Sequence, residues 1–297
     1  MSSPPGQLFL VSTPIGNLDD FSPRAVETLA SVALILAEDT RHSRRLLDRY
    51  SIRTPTASYH EHNEARSAPR LVERLLAGEN IALISDAGTP LLSDPGARLV
   101  DAAIAAGVRV VPIPGASALL AALVASGADA TRFTFFGFPP RKGRERANFL
   151  ADVAGLPHTA VLYEAPARVA ATLSDLVDAG AGERHAAVAR ELTKQFEEFR
   201  RGTVAELARY YRDSQPRGEV VIVISGGEVA AAELDEDALR DRAAELLAVG
   251  KSARDVARAL ADEYGLARND AYRVAQQAGS EAAAGDGESD EVTDGLN

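Results

Sequence analysis

Four apolar residues, Ile81 to Ile84, run without a break into Ser85-Asp86-Ala87-Gly88-Thr89-Pro90, and this junction constrains the chain more than any other stretch. A short apolar run bounded by turn residues reads as a strand buried on both faces. The loop behind it holds Gly88, Pro90, Pro95 and Gly96, and Asp94 is placed to cap a helix with Pro95 at its first position. A plain strand-to-helix turn accounts for Asp94-Pro95-Gly96. It has no use for a carboxylate, a bare glycine and a hydroxyl packed between Asp86 and Pro90. Loops at the carboxyl ends of parallel strands are where open α/β sheets bind ligands, so this one is read as a ligand loop.

The same pattern recurs along the chain. Gln7 to Val11 and Ala33 to Ala37 read as strands, the first followed by the loop Ser12 to Asn17 and the second by Glu38-Asp39-Thr40. Ser22-Pro23 is a helix start, and Arg41, Arg44, Arg45 and Arg49 interleave with Leu46 and Leu47 on a basic helix. A polar segment, Tyr59 to Asn63, precedes a helix around Leu71 to Leu76, and Val108 to Ile113 is a further strand. Strand and helix alternating at this spacing predict an α/β fold with a mainly parallel sheet. Phe133–Phe136, Thr159–Tyr163, Ala186–Ala189, Glu197–Arg201 and Val220–Ile224 read as strands of a second unit, α+β or mixed-sheet. Three short helical segments follow, the second capped by Ser252 with Asp255 three residues on. The expected organisation is an N-terminal α/β domain over 1–114, a second α/β domain over 115–227, a helical extension over 228–279 and a disordered acidic tail over 280–297.

Charge is a weak guide to partners. The formal net charge of −11 argues against a general polyanion binder, but six acidic groups and no basic one fall in the last 17 residues. Helix, tight turn and helix suggest a small nucleic-acid-binding module. Nine acidic against seven basic residues from Asp235 to Ala278 leave that module without an electrostatic footprint for RNA. The chain has no cysteine, which excludes disulfides, thiolate metal sites and cysteine nucleophiles. No basic, apolar leader opens it and no apolar run is long enough to span a bilayer, so a cytoplasmic protein without membrane contact is expected.

The chain has neither G-x-x-x-x-G-K-[ST] nor G-x-G-x-x-G after a strand, which weakens P-loop and dinucleotide readings. His60 and His62 flank Glu61 and would share one face if extended, but without H-E-x-x-H a polar loop is preferred to a zinc site. Arg141-Lys142-Gly143-Arg144-Glu145-Arg146 is the densest basic cluster, directly after Gly137-Phe138-Pro139-Pro140. An aromatic surface beside clustered charge suits single-stranded RNA, which makes Arg141, Lys142, Arg144 and Arg146 the RNA-binding candidates. Strand ends carrying Asp39, Asp86, Glu164 and Arg190 across both units suggest a cleft between them.

Taken in order, these segments resemble the tetrapyrrole methylase superfamily, and within it the small-subunit ribosomal RNA (cytidine-2′-O)-methyltransferases. The resemblance runs from about Leu8 to Ile224. It is carried by Thr13-Pro14-Ile15-Gly16-Asn17-Leu18, Ala37-Glu38-Asp39-Thr40-Arg41, His62-Asn63-Glu64, Ser85 to Gly96, Pro114-Gly115, Gly137-Phe138, Arg141-Lys142-Gly143, Tyr163-Glu164, Arg190-Glu191-Leu192-Thr193-Lys194 and Gly218-Glu219. Thr13 to Leu18 stands where cobalamin-pathway members have a G-x-G-P-G loop. Two departures touch single cofactor contacts: Ala116 replaces a proline in P-G-P-S, and Ala165 a serine in Y-E-S-P-H-R.

The resemblance implies two α/β domains with S-adenosylmethionine folded into the cleft between them. Its cofactor loops map to Pro14, Asp86, Ala87, Gly88, Thr89, Pro90, Ser117 and Gly218. It also implies 2′-O-methylation of one cytidine in the decoding region of small-subunit ribosomal RNA, and homodimers are common in the superfamily. Methyl transfer from a sulfonium needs in-line approach and no metal, but the hydroxyl must lose a proton. Asp39, His62 and Glu164 are candidate bases, as is Lys194 if burial lowers its pKa, and the sequence does not choose among them. A small-molecule tetrapyrrole methylase would have no use for the Arg141–Arg146 loop. A non-catalytic RNA-binding or assembly module would have none for the cofactor loops.

Overall fold

The computed structural model describes residues 4–227, 236–264, 266 and 268–285. They form two compact units, divided after Gly227. The first unit holds two five-stranded sheets.

The first sheet contains β1 (Gln7–Val11), β2 (Leu34–Ala37), β3 (Thr56–Ser58), β4 (Ile81–Ile84) and β5 (Arg109–Ile113) in the order β3-β2-β4-β1-β5. All of its pairings are parallel, with Leu8 opposite Ile81 and Val11 opposite Ile84. Parallel sheets need both faces covered, and every residue of β2 and β4 is buried. Helices α1 (Pro23–Ser31) and α2 (Thr40–Arg49) cover one face through Ala25, Leu29, Leu46 and Leu47. Helices α3 (Glu61–Leu76) and α4 (Ala97–Ala105) cover the other through Leu71, Leu75, Leu99 and Ala103.

Helix α5 (Ala118–Ser126) leads to the second sheet: β6 (Phe133–Gly137), β7 (Thr159–Glu164), β8 (His185–Arg190), β9 (Glu198–Thr203) and β10 (Val220–Ile224). Their order is β6-β7-β10-β8-β9, parallel only between β6 and β7, which is the mixed sheet expected. Helices α6 (Gly143–Ala154), α7 (Val169–Leu176) and α8 (Val204–Asp213) bury one face. The other face packs on Leu119 and Leu123 of α5 and on Ile15 from the loop behind β1.

Three local readings change. Helix α4 starts at Ala97 with Gly96 as its cap at φ 132°, so Asp94 is released from the capping role expected of it. Residues around His62 are the first turn of α3 rather than an extended segment; His60 caps that turn, and its backbone N–H donates to Asn63 Oδ1. Pro69 lies inside α3 on its exposed side, where the carbonyl it leaves unpaired, that of Ala65, is open to water. In the second unit α9 (Glu236–Ala248), α10 (Ala253–Tyr264) and α11 (Arg268–Gly285) share a core of Leu239, Leu246, Val256, Leu260, Ala271 and Ala275. The Ser252 hydroxyl accepts from the Asp255 N–H and donates to its carboxylate. Helix α11 continues to Gly285, beyond the Ala278 end that the pattern suggested, and the rest of the expected acidic tail lies outside the described residues.

Candidate active site

Three loops meet at the carboxyl edge of the parallel sheet. Thr13 and Gly88 exchange backbone hydrogen bonds of 2.8 and 3.1 Å, closing the loop behind β1 onto the loop behind β4. Ser12 Oγ donates to Thr89 Oγ1 (3.2 Å), and Thr89 donates on to the Ala116 carbonyl (3.3 Å). The first loop also reaches the second sheet, since the Asn17 N–H donates to Thr193 Oγ1 at 3.0 Å. Gly16 permits that approach: a Cβ there would stand 2.5 Å from Lys194 Cγ. Four of the five non-glycine residues with positive φ among the described residues, Leu91, Ser93, Glu191 and Thr193, lie in loops beside this junction. Such backbone is strained and concentrates at functional sites.

The junction opens into two adjoining cavities. One, of about 340 Å³, has apolar walls of Ile15, Leu92, Phe138 and Tyr163. The other, of about 490 Å³, presents Arg41, His42, Arg45 and Lys194. Ile15, Asp86, Ala87 and Glu219 line both. Gly88 and Gly218 shape the first cavity with left-handed backbone, φ 80° and 79°. A Cβ on Gly218 would run into the Glu191 carboxylate, and at this φ any side chain is strained, so glycine suits the position.

The sequence-derived cofactor residues come together only in part. Asp86, Ala87, Gly88, Thr89 and Gly218 line the first cavity and Pro14 the second. Pro90 is buried behind the loop and lines neither. Ser117 adjoins the first cavity through its neighbour Ala118, and its hydroxyl is buried with no hydrogen-bond partner. A buried orphan hydroxyl carries a desolvation cost that a ligand can relieve.

The four candidate bases fare differently. Asp39 and His62 line neither cavity. Asp39 caps α2, its carboxylate accepting from the Arg41 N–H at 2.8 Å, while its own N–H donates to Asp86 Oδ1 at 3.2 Å. That cap lowers the Asp39 pKa. The His62 ring lies 5.9 Å from that of His60 on α3. Lys194 lines the second cavity, but the condition set for it fails. Burial pulls its pKa down, yet hydrogen bonds to Glu191 and Glu219, both 3.0 Å, outweigh burial and hold the ammonium above the ordinary lysine range.

Glu164 lines the first cavity with a fully buried carboxylate that is already occupied. It accepts from Thr172 Oγ1 (2.5 Å) and the Ala165 N–H (2.8 Å), and Arg168 lies 3.5 Å away. The same network engages Arg146, one of the four RNA-binding candidates, inside the fold. Its side chain is 11% exposed and forks onto Asp175 at 2.7 and 2.9 Å, Thr172 at 3.0 Å and the Pro140 carbonyl at 3.1 Å. Arg168 donates to the carbonyls of Pro139 and Pro140. Two partly buried arginines thus bolt the Pro139-Pro140 segment to the wall of the cavity. Arg141, Lys142 and Arg144 remain exposed beyond it.

A group the sequence reading assigned elsewhere emerges instead. Asp94 lines the first cavity. Burial pushes its carboxyl up to about 6, Glu38 adds to the rise, a hydrogen bond with Ser85 opposes it, and Asp86 adds a smaller push. Glu38 is raised as well, by burial first and then by Asp86, against the pull of His60. Folded Asp94 therefore binds its proton more tightly than an unfolded aspartate, so its contribution to stability falls as pH rises from about 4 through about 6. Asp94→Asn should raise the thermal midpoint at pH 8 and leave it near wild type at pH 4. Scanning calorimetry across that range checks this, and a difference independent of pH would count against a buried ionisation here.

The fold, two α/β sheets with a cleft at the carboxyl edge of the parallel one, is shared with a class of solved structures. The chain is similar in structure to a cobalt precorrin-4 methyltransferase (TM-score 0.56, 18% identity, 74% of this chain and 94% of that one). It is similar also to a diphthine synthase (TM-score 0.60, 15% identity, 74% and 90%). A uroporphyrin-III C-methyltransferase from Thermus thermophilus, solved in complex with S-adenosyl homocysteine, gives a TM-score of 0.53 at 18% identity, covering 74% of this chain and 97% of that one. In sequence, the profile of the family described as Tetrapyrrole (Corrin/Porphyrin) Methylases matches residues 7–208. Relatives named ribosomal RNA small subunit methyltransferase I are 48% identical in Synechocystis sp. (91% of this chain, 97% of the relative) and 47% identical in Pseudomonas aeruginosa (92% and 97%). The chain belongs to the tetrapyrrole methylase family, within its group of small-subunit ribosomal RNA methyltransferases.

Proposed function

We propose that this protein transfers a methyl group from S-adenosylmethionine to small-subunit ribosomal RNA, at the ribose 2′-oxygen of a cytidine in the decoding region. The observation that carries the reading is the pair of joined cavities, in a chain that matches ribosomal RNA methyltransferases along almost its whole length. The first cavity suits the cofactor. Its apolar walls match an adenine, and Asp86, Asp94 and Glu219 offer carboxylates to a cation. Gly88 and Gly218 leave the room that side chains would fill, and the unpartnered Ser117 hydroxyl supplies a hydrogen bond. When bound, S-adenosylmethionine supplies an electrophilic methyl carbon on a sulfonium.

The second cavity suits the nucleotide. Arg41 and Arg45 offer their charges to phosphates, and Asp86 stands where the two cavities join. With Asp39, His62, Glu164 and Lys194 otherwise engaged or outside the cavities, Asp86, which lines both, is the carboxylate nearest the nucleotide, and Asp94 lies in the first cavity as a second acceptor for the hydroxyl proton. With a pKa near 6 Asp94 is ionised at neutral pH and still basic enough to serve. Exposed Arg141, Lys142 and Arg144 extend the cationic surface for RNA beyond the cleft.

Among the described residues no cluster of His, Asp and Glu could hold a metal ion, and no helix is long and apolar enough to cross a membrane. The reading takes the protein as cytoplasmic and homodimeric. Support for a dimer comes from α5, which exposes Leu120 (50%) and Val124 (74%) on a helix with hardly any polar side chain. Sedimentation as a monomer at micromolar concentration would remove that part.

Labelled S-adenosylmethionine, mixed with purified small subunits that lack the modification, tests the whole reading. Label should enter the RNA, and digestion should recover it as ribose-methylated cytidine. Transfer to a tetrapyrrole but not to subunits would favour the small-molecule reading. Absence of cofactor binding would favour an assembly module.

A further inference from the structure

Counted along the chain, Asp235 to Ala278 carry nine acidic and seven basic residues, close to balance. Folded, the charges sort by face. Helix α10 turns Arg254 and Arg258 to the same side, and α11 turns Asn269, Tyr272, Arg273 and Gln276 towards them. Spacings of three and four residues put each set on one helical stripe. Between the stripes runs an open groove of about 1180 Å³. Its floor carries Ala257 and Ala261, whose short side chains keep it open while the long cationic ones stand at the rims. Among the described residues no carboxylate lines it.

Four acids of this unit hold arginines, two of them away from the groove and two beside it. Glu263 and Glu245 hold Arg242, and Asp255 and Asp270 reach Arg258 and Arg273 from one turn away along their own helices. The last two pairs are exposed on both sides: Arg273 is 68% and Asp270 50% accessible. Ion pairs so open to water contribute little and exchange readily for a phosphate.

We infer that this groove binds a single-stranded segment of the RNA substrate, its arginines on backbone phosphates and its Tyr272 ring against a base. Three arginines line one groove, two of them paired only with exposed aspartates of their own helices, and together they complement a polyanion. Tyr272 is 44% exposed and offers a face for stacking. Asn269 and Gln276 supply donors and acceptors for base edges. The inference rests on the RNA methyltransferase reading for the identity of the strand, and it adds a second contact surface remote in sequence from every cleft motif.

The test uses the full-length protein and small subunits lacking the modification. Arg254, Arg258 and Arg273 are changed together to alanine, with helicity and thermal midpoint checked first. Losing three phosphate contacts should weaken subunit binding roughly tenfold or more and make the slope of log K against log salt shallower by about two. Affinity for S-adenosylmethionine should not move. A second variant, Asp270→Asn, frees Arg273 and should tighten binding about threefold, so a folding failure of the triple variant leaves the idea exposed to test. Unchanged subunit affinity and salt slope in the triple variant overturn the inference even where methylation proceeds. A wild-type protein that binds RNA through the groove but transfers no methyl overturns the functional reading and spares the groove. Groove-dependent binding to whole subunits but not to protein-free ribosomal RNA means that the surface reads a ribosomal protein, and the RNA assignment falls.

Discussion

Gly88→Val is expected to abolish S-adenosylmethionine binding, raising Kd more than a hundredfold, in a protein that still folds. Gly88 has φ 80°, and a Cβ there would lie 3.2 Å from Ile15 Cγ2. Valine would add two methyl groups beyond that Cβ, on the wall of the first cavity. Its β-branched side chain also disfavours left-handed backbone by about 1–2 kcal/mol. The loop has two ways to respond, and both harm the site. It can keep its path and fill the cavity, or flip and break the paired Thr13–Gly88 hydrogen bonds that close the two loops together. Neither breaks the strand pairing, because β4 ends at Ile84 and its pairing with β1 and β2 is complete before the loop begins. The thermal midpoint should therefore fall by only about 5–8 °C, as for a local cost of roughly 2 kcal/mol in a unit of this size. Isothermal titration of the folded variant decides the matter: unchanged affinity would separate this loop from the cofactor.

Gly88 was legible in the sequence because bare backbone beside a buried strand has a signature, and the same holds for the strands. Continuous apolar runs such as Ile81–Ile84 and Val220–Ile224 can only be covered on both faces, which marks them as central. Strand β3, Thr-Ala-Ser at the sheet edge, carries no such run and escaped notice. So did the start of α3, whose histidine cap and internal Pro69 hide the helical period. Asp94 shows a different limit. Asp-Pro-Gly is a sound helix-start signature, yet Gly96 at φ 132° takes the cap and turns the carboxylate over to the cavity. Local propensity could not reveal that, because the competitor for the cap sits two residues away and the reward for releasing Asp94 lies across the fold. The C-terminal helices mark a third limit. A charge count along the chain averages over a helix, whereas folding sorts residues by angle, so Arg254, Arg258 and Arg273 share a groove that their acidic neighbours do not line.

The basic run after Pro140 divides in the same way, and the division yields the second large effect. Arg146→Ala is expected to destabilise the protein by about 2–4 kcal/mol and lower the thermal midpoint by roughly 5–12 °C. The figure is below that for a fully buried pair because Asp175, its partner at 2.7 Å, is 41% exposed and can rehydrate. What cannot rehydrate as easily is the fork itself, which ties α6 to Thr172 and Asp175 of α7 and to the Pro140 carbonyl. Arg146→Lys keeps the charge but cannot reach all three partners with one planar group, so it should recover only part of the loss. Arg141, Lys142 and Arg144, changed together to alanine, should behave oppositely. Exposed and outside this network, they should leave the midpoint within about 1–2 °C while weakening subunit binding and flattening its salt dependence. Thermal melts and a salt series on both variants separate the two roles. A stable Arg146→Ala protein that loses RNA affinity would mean that this guanidinium leaves its buried partners to meet the substrate, and the four residues would again act as one phosphate-binding loop.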